Sequence, residues 1–127
     1  MSGPGLVGIG IDAVEIARFA AVLARRPGVA GRLFTAGERA YASGLANPAP
    51  SLAARFAVKE AAMKALGVGA GAFAWTDLEV LRHPSGQPQL AVRGRAAALA
   101  AAQGVSGWRI SLTHTGATAA AVVAALS

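Results

Sequence analysis

The sequence predicts an α+β domain built mostly from antiparallel strands, in the order β-α-α-α-β-β-α-β-β. Three observations support that expectation. Residues 6–14 alternate so that Val7, Ile9 and Ile11 share one face of a strand. Residues 51–67 carry Leu52, Phe56 and Met63 at helical spacing between a serine and a glycine. Two later pairs of strand-like segments are each joined by a turn, His83-Pro-Ser-Gly-Gln-Pro88 in one case and a segment across Gly116 in the other.

Each element has a local reason. In the first strand the face opposite Val7 carries Gly8, Gly10 and Asp12, and two glycines in a strand predict a chain segment or a ligand close against the backbone. Asp12 is expected to open a helix that runs to about Arg26 and stops at Pro27-Gly28. A short helical piece covers 30–34. Thr35 then caps a helix over 36–43, since Thr35-Ala-Gly-Glu38 has the capping-box spacing. Asn47-Pro-Ala-Pro50 is a loop, Ser51 is the expected cap of the longest helix, and that helix ends near Gly67 in the glycine-rich exit 67–71. Strands over 77–82 and 89–92 follow, then an alanine-rich helix over 93–103 stopped by Gly104. Strands over 108–113 and 118–125 close the chain. The run Ala119-Ala-Ala-Val-Val-Ala-Ala125 does not alternate, which predicts burial on both faces, by helices or by a neighbouring subunit.

Composition narrows the class. The 127 residues fit one domain, 1–127, and no repeat, linker or composition shift divides them. Hydrophobic residues make up 54%, but alanine supplies nearly half of them, so the core is expected to be modest in volume. Without cysteine there is no disulfide framework, thiolate metal site or thiol nucleophile. The opening MSGPGLVGIG lacks the basic and long apolar regions of a signal peptide. Residues 110–127 carry no formal charge and reach the minimum length of a membrane span, but His114, Gly116 and three threonines interrupt them. They read as a buried β-hairpin, and the expectation is a soluble cytoplasmic protein. The net charge of +6 suits an acidic partner, whether nucleic acid, anionic membrane, phosphorylated small molecule or acidic protein, although a high-GC coding bias also enriches Ala, Gly and Arg together.

One segment resists that bland account. The chain holds ten Arg and two Lys, yet both lysines, Lys59 and Lys64, fall in Arg55-Phe-Ala-Val-Lys-Glu60-Ala-Ala-Met-Lys64-Ala-Leu-Gly67. Guanidinium is a permanently charged fork, whereas ammonium is a compact charge with a movable pKa. On the helix alone, Glu60 and Lys64 are an i, i+4 pair worth about 0.3–0.5 kcal/mol on an exposed face. That leaves the lysine bias unexplained. Asp12-Ala-Val-Glu15 taken alone is a capping box. Were Asp12 and Glu60 to meet in space, their two carboxylates would suit Mg²⁺, which takes one or two carboxylates plus waters and phosphates. His114 is in phase with Ile110 and Leu112 and taken alone reads as a core residue, while His83 in its turn reads as surface. No P-loop, dinucleotide fingerprint, HExxH or GxSxG is present.

Taken in order, Gly8-Ile-Gly-Ile-Asp12-Ala-Val-Glu15, the Arg55 to Gly67 segment and Ile110-Ser-Leu-Thr-His114-Thr resemble the holo-acyl-carrier-protein synthases, small 4'-phosphopantetheinyl transferases of bacterial fatty-acid synthesis. The likeness covers essentially the whole length. Trp75-Thr-Asp77-Leu-Glu79-Val and Gly86-Gln-Pro88-Gln-Leu match that family's middle strands, and the alanine-rich, arginine-biased style resembles actinobacterial members. Thr113 stands where the family usually has serine, a mild departure.

The resemblance implies the 4'-phosphopantetheinyl transferase fold and transfer of the phosphopantetheine arm of coenzyme A to a serine hydroxyl of apo-acyl carrier protein. Adenosine 3',5'-bisphosphate would be released. By the same resemblance Asp12 and Glu60 match the Mg²⁺ ligands, and Lys64 faces the pyrophosphate and steadies or protonates the leaving phosphate. Glu60 or a metal-bound water is the candidate base. Lys59 and His114 hold phosphates with Arg55 assisting, and residues 67–71, including Gly67 and Gly69, lie against the coenzyme. Arg18 and Arg25 on one helix face meet the acidic carrier protein. A homotrimer with active sites between subunits is implied, with no nucleic-acid or membrane partner. Two rivals are weighed against this. A degenerate binding module is disfavoured because Asp12, Glu60 and Lys64 are all present, and a nucleic-acid binder is disfavoured because the arginines are dispersed and Tyr41, Trp75 and Trp108 stand apart.

Overall fold

The computed structural model describes residues 5–127, so the first four residues of the opening stretch read above for a leader lie outside it. The elements follow the predicted order except that four helices, not three, separate the first two strands, the short piece after the first helix being a helix of its own: β1 (Leu6–Glu15), α1 (Ile16–Arg25), α2 (Gly28–Leu33), α3 (Ala36–Ser43), α4 (Ala49–Leu66), a 3-10 turn (Trp75–Asp77), β2 (Leu78–Arg82), β3 (Pro88–Val92), α5 (Gly94–Ala102), β4 (Gly107–His114) and β5 (Thr118–Leu126). One antiparallel sheet runs β1-β5-β4 with β5 at its centre, and β2 and β3 form a second antiparallel pair. The α+β class is therefore observed. Among the described residues no helix is long and apolar enough to cross a membrane, and most of the uncharged tail is spent on β4 and β5.

The glycines of β1 explain how the main helix reaches the sheet. A Cβ at Gly8 would run into the carbonyl oxygen of Ala65, and one at Gly10 into that of Ala61. The close approach predicted from two strand glycines is thus made by α4 itself. Alanines on the helix and glycines on the strand let the two backbones nearly touch, which dense packing without large side chains requires.

Helix α4 departs from the expected single buried stripe. Between Leu52 and Leu66 every residue is buried except Phe56, Glu60 and Lys64, which fall at i, i+4 and i+8. The sheet covers one side of α4, with the aromatic and β2–α5 clusters around the rest, so one open line runs along an otherwise enclosed helix. Gly67 ends it in the left-handed region at φ 70°, with its N–H directed to the Lys64 and Met63 carbonyls and that of Val68 to Met63.

Three local expectations need correction. Asp12 does not open a helix: β1 continues through Glu15, and neither Asp12 nor Glu15 caps α1 by its side chain. The ladder to β5, pairing Asp12 with Ala121 and Glu15 with Thr118, outweighs the capping pattern. Ser51 does not cap α4, because the helix starts at Ala49 and the Ser51 hydroxyl accepts a hydrogen bond from Arg55 instead. In β5 burial alternates even though the sequence does not: Ala119, Ala121, Val123 and Ala125 are buried while the residues between them are half-buried. The capping box of Thr35 and Glu38 forms as read, with both of its bonds present.

Candidate active site

Asp12 reaches the site from the glycine face of β1, and Glu60 and Lys64 come from the open line of α4. The Lys64 ammonium donates to Asp12 Oδ1 at 3.0 Å and to the Ile11 carbonyl at 2.9 Å. It thus spans helix and strand rather than closing an i, i+4 ion pair with Glu60. The Asp12 and Glu60 carboxyls lie within hydrogen-bonding reach. Burial, then the hydrogen bond and negative charge of Asp12, push the Glu60 carboxyl up to about 7, while Lys64 pulls it down. Asp12 Oδ2 is buried and receives no hydrogen bond. With both acids ionised nothing donates to that oxygen; a protonated Glu60 could.

Among the described residues no three His, Cys, Asp or Glu side chains gather as metal ligands. The two carboxylates, one with an unsatisfied buried oxygen, still fit a hard divalent cation that completes its shell with water and phosphate oxygens.

Lys59 has a different place from the one expected. It is fully buried, and its ammonium donates to Glu38 Oε1 at 2.7 Å, the Leu33 carbonyl at 2.6 Å and the Trp75 carbonyl at 3.2 Å. An ammonium has three N–H donors, so none is left for a phosphate. The expected phosphate contact of Lys59 is corrected to a structural one. Glu38 is equally enclosed and also accepts from the backbone N–H groups of Thr35 and Val80, so the pair fastens α2, α3, the 3-10 turn and β2 to α4.

Arg55 and His114 meet on the far side of α4. They line a cavity of about 280 Å³ with Tyr41, Ser51, Arg82 and Thr113. Arg55 is buried, donates to Ser51 Oγ at 2.6 Å and lies 4.5 Å above the Tyr41 ring, with its Nε unpartnered. His114 is exposed at the end of β4 with Nδ1 3.2 Å from the Thr115 carbonyl oxygen, so its reading as a core residue gives way. This cavity shares no lining residue with the carboxylate cluster. Asp12 is on the β1 edge of the sheet and His114 on the β4 edge, with β5 between them, so two strand spacings, roughly 10 Å across the sheet, and a two-residue offset along it separate them.

The remaining positions are simpler. Gly67 and Gly69 are exposed, and a Cβ on either would touch nothing within 4 Å. The glycine at 67 is accounted for by the helix stop, and no cradle is formed around either by this chain. Arg18 and Arg25 lie exposed on α1. Sequence reasoning passed over Glu38 as more than a cap, and gave Tyr41 and Arg82 no place in a site. The signal available for Glu38 was that one carboxylate in a capping box can serve other donors too.

Comparison with known proteins adds to this geometry. The profile of the 4'-phosphopantetheinyl transferase superfamily matches residues 8–123. A holo-[acyl-carrier-protein] synthase of Frankia casuarinae is 52% identical over 120 residues, covering 94% of this chain and 97% of its own. Among solved structures, the holo-[acyl-carrier-protein] synthase of Neisseria meningitidis superposes with a TM-score of 0.87 at 29% identity, covering 95% of this chain and 98% of that one. That of Bacillus anthracis, in complex with CoA (3',5'-ADP), gives 0.81 at 32% identity over 96% and 97%. The chain belongs to the 4'-phosphopantetheinyl transferase superfamily and, within it, to the holo-[acyl-carrier-protein] synthases.

Proposed function

We propose that this enzyme moves the 4'-phosphopantetheine arm of coenzyme A to a serine hydroxyl of apo-acyl carrier protein in a Mg²⁺-dependent reaction in the cytoplasm, releasing adenosine 3',5'-bisphosphate and supplying a carrier for fatty-acid synthesis. The observation that carries the reading is the meeting of Asp12 and Glu60 beside Lys64, nearly fifty residues apart in sequence and brought together by the β1–α4 contact.

In this reading Asp12 and Glu60 would hold a magnesium ion, which when bound would supply positive charge to the coenzyme pyrophosphate. Glu60, or a water held by the metal, would accept the serine proton. Lys64, whose side chain is 57% exposed and whose ammonium sits beside Asp12, would stabilise or protonate the leaving phosphate. Arg55 and His114 receive a phosphate of the coenzyme, and residues 67–71, leaving α4 just past Lys64, pass along it. Arg18 and Arg25 meet the acidic carrier.

The separation of the two half-sites on opposite sheet edges supports a homotrimer in which the cationic cavity of one subunit faces the carboxylates of the next. So does the outward face of β1, where Ile9 and Ile11 are 60% and 68% exposed. A solvent-exposed isoleucine pair on a sheet is what a partner copy would cover.

The deciding experiment incubates the enzyme with apo-acyl carrier protein, coenzyme A and Mg²⁺ and weighs the carrier by intact mass spectrometry. The expected gain is one phosphopantetheine; an unchanged carrier mass with the folded enzyme overturns the reading. Sedimentation velocity tests the trimer, which Ile9→Asp with Ile11→Asp is expected to dissociate.

A further inference from the structure

The cavity beside β4 brings two guanidiniums to one aromatic ring. Arg55 Cζ lies 4.5 Å and Arg82 Cζ 5.6 Å from the centroid of Tyr41. The Arg82 charge acts on Arg55, and among the residues lining the cavity there is no carboxylate to offset the two cations. Burial lowers the Arg55 pKa and Arg82 adds to that, with Glu38 and Tyr41 opposing. Arg55 also keeps a buried Nε without a partner. Two cations beside one ring, with no carboxylate lining the cavity, suit an anion; the negative face of the ring steadies them alongside the bonds of Arg55 to Ser51 and of Arg82 to the Gly86 carbonyl.

We propose that Tyr41 is a positioning residue: its ring aligns Arg55 and Arg82 so that both guanidiniums converge on one phosphate monoester in this cavity. Arg82 thereby joins Arg55 and His114 as a contributor to phosphate selectivity. The assignment rests on the reading that this cavity holds a phosphate of coenzyme A, and it adds residues to which that reading gives no role. Tyr41 is carried by α3, whose Glu38 is bonded to Lys59 of α4, so the ring is fixed relative to Arg55 one helical turn earlier on α4. The interaction belongs to the ring face and not to the hydroxyl, which forms no hydrogen bond among the described residues.

The test is calorimetric binding of adenosine 3',5'-bisphosphate and of adenosine 5'-monophosphate to the full chain, each compared with its Tyr41 and Arg82 variants. The wild type should prefer the bisphosphate. Tyr41→Phe should keep that preference, and Tyr41→Leu, which retains apolar bulk without a π face, should lose about tenfold of it. Arg82→Gln should reduce it as well, and Tyr41→Leu with Arg82→Gln should lose less than the product of the two single effects. Equal binding of both nucleotides by the wild type would overturn the phosphate reading of the cavity itself. A wild-type preference abolished by Arg55→Ala but untouched by Tyr41→Leu would overturn the role of Tyr41 alone. Equal losses in Tyr41→Phe and Tyr41→Leu would assign the effect to the hydroxyl and also overturn it. Because Tyr41 is 40% exposed on a helix and Leu is a good helix former, the folded Leu variant should be obtained; unfolding midpoints of all variants verify this.

Discussion

Two lysine–carboxylate pairs sit five residues apart on one helix and have opposite environments. Lys59 and Glu38 are both fully buried, 2.7 Å apart, with every ammonium N–H used. Lys64 and Asp12 are 3.0 Å apart, but their side chains are 57% and 14% exposed, and the neighbouring Glu60 leaves Asp12 with an unsatisfied oxygen. The first pair is closed: burial lowers the Lys59 pKa and Glu38 counters it, so the charges are locked in place. The second is open and short of positive charge, two acids against one ammonium that also serves a backbone carbonyl. The same residue types therefore do fastening work in one place and are available for chemistry in the other, and the deciding variable is which side of α4 they occupy.

Breaking the closed pair should give the largest effect. Glu38→Ala would leave the Lys59 ammonium buried with no counter-charge and is expected to cost about 3–5 kcal/mol of folding stability. Urea denaturation measures it, and whatever remains folded should still transfer. Next in size is the open pair. Lys64→Ala is expected to change stability by less than about 1 kcal/mol and to lower the transfer rate by about a hundredfold, read by carrier mass against time. Lys64→Arg separates charge from ammonium chemistry: full rate with Arg would remove the reason for a lysine there. A stability loss in Lys64→Ala as large as that in Glu38→Ala would erase the contrast between the pairs.

Gly10→Ala sharpens the same contrast from the strand side. Its Cβ must displace the Ala61 carbonyl, so β1 should shift away from α4 at a cost of about 1–3 kcal/mol. That movement carries Asp12 away from Glu60 and Lys64 but leaves Glu38 and Lys59 untouched. The expected result is a rate loss larger than the stability loss would explain, relieved in part by high Mg²⁺.

Much of this was legible in the sequence because local chemistry decided it. Two glycines in a β-pattern announced a close neighbour, Gly67 announced a helix stop, and the Thr35–Glu38 spacing announced a cap. The element order followed from turns and periodicity. What was not legible depended on which side of α4 each residue faces. An alanine-rich helix buried on nearly all sides has no single apolar stripe, so periodicity could not distinguish Lys59, turned inward, from Lys64, turned out. For the same reason Phe56 read as part of one stripe with Leu52 and Met63, whereas it shares the open line with Glu60 and Lys64. Asp12 misled through a good local pattern: Asp-x-x-Glu fits a cap, and only the long-range pairing of β1 with β5 carries the strand past it. The division of the cationic and anionic residues between opposite sheet edges is a tertiary fact with no sequence signature.

The last effect expected is a pH dependence of stability that Glu60 contributes to the open site. Glu60 has an ordinary carboxylate pKa of 4.5 when unfolded and is held at about 7 when folded without metal. Between these values the folded state binds more protons than the unfolded one, so this group makes stability fall as pH rises from about 4.5 through about 7. The sign is opposite to that of an ion-paired acid, whose contribution is lost on acidification. Thermal unfolding at pH 5 and pH 8 in chelator should therefore show a larger decrease for the wild type than for Glu60→Gln, which cannot titrate. Added Mg²⁺ should shrink the wild-type decrease, because a cation shared with Asp12 favours the ionised carboxyl, and should leave Glu60→Gln much less affected. Identical pH responses in the two proteins would mean that Glu60 titrates like an exposed acid, and the distinction between a locked pair and an open one would then have to rest on geometry without its electrostatic consequence.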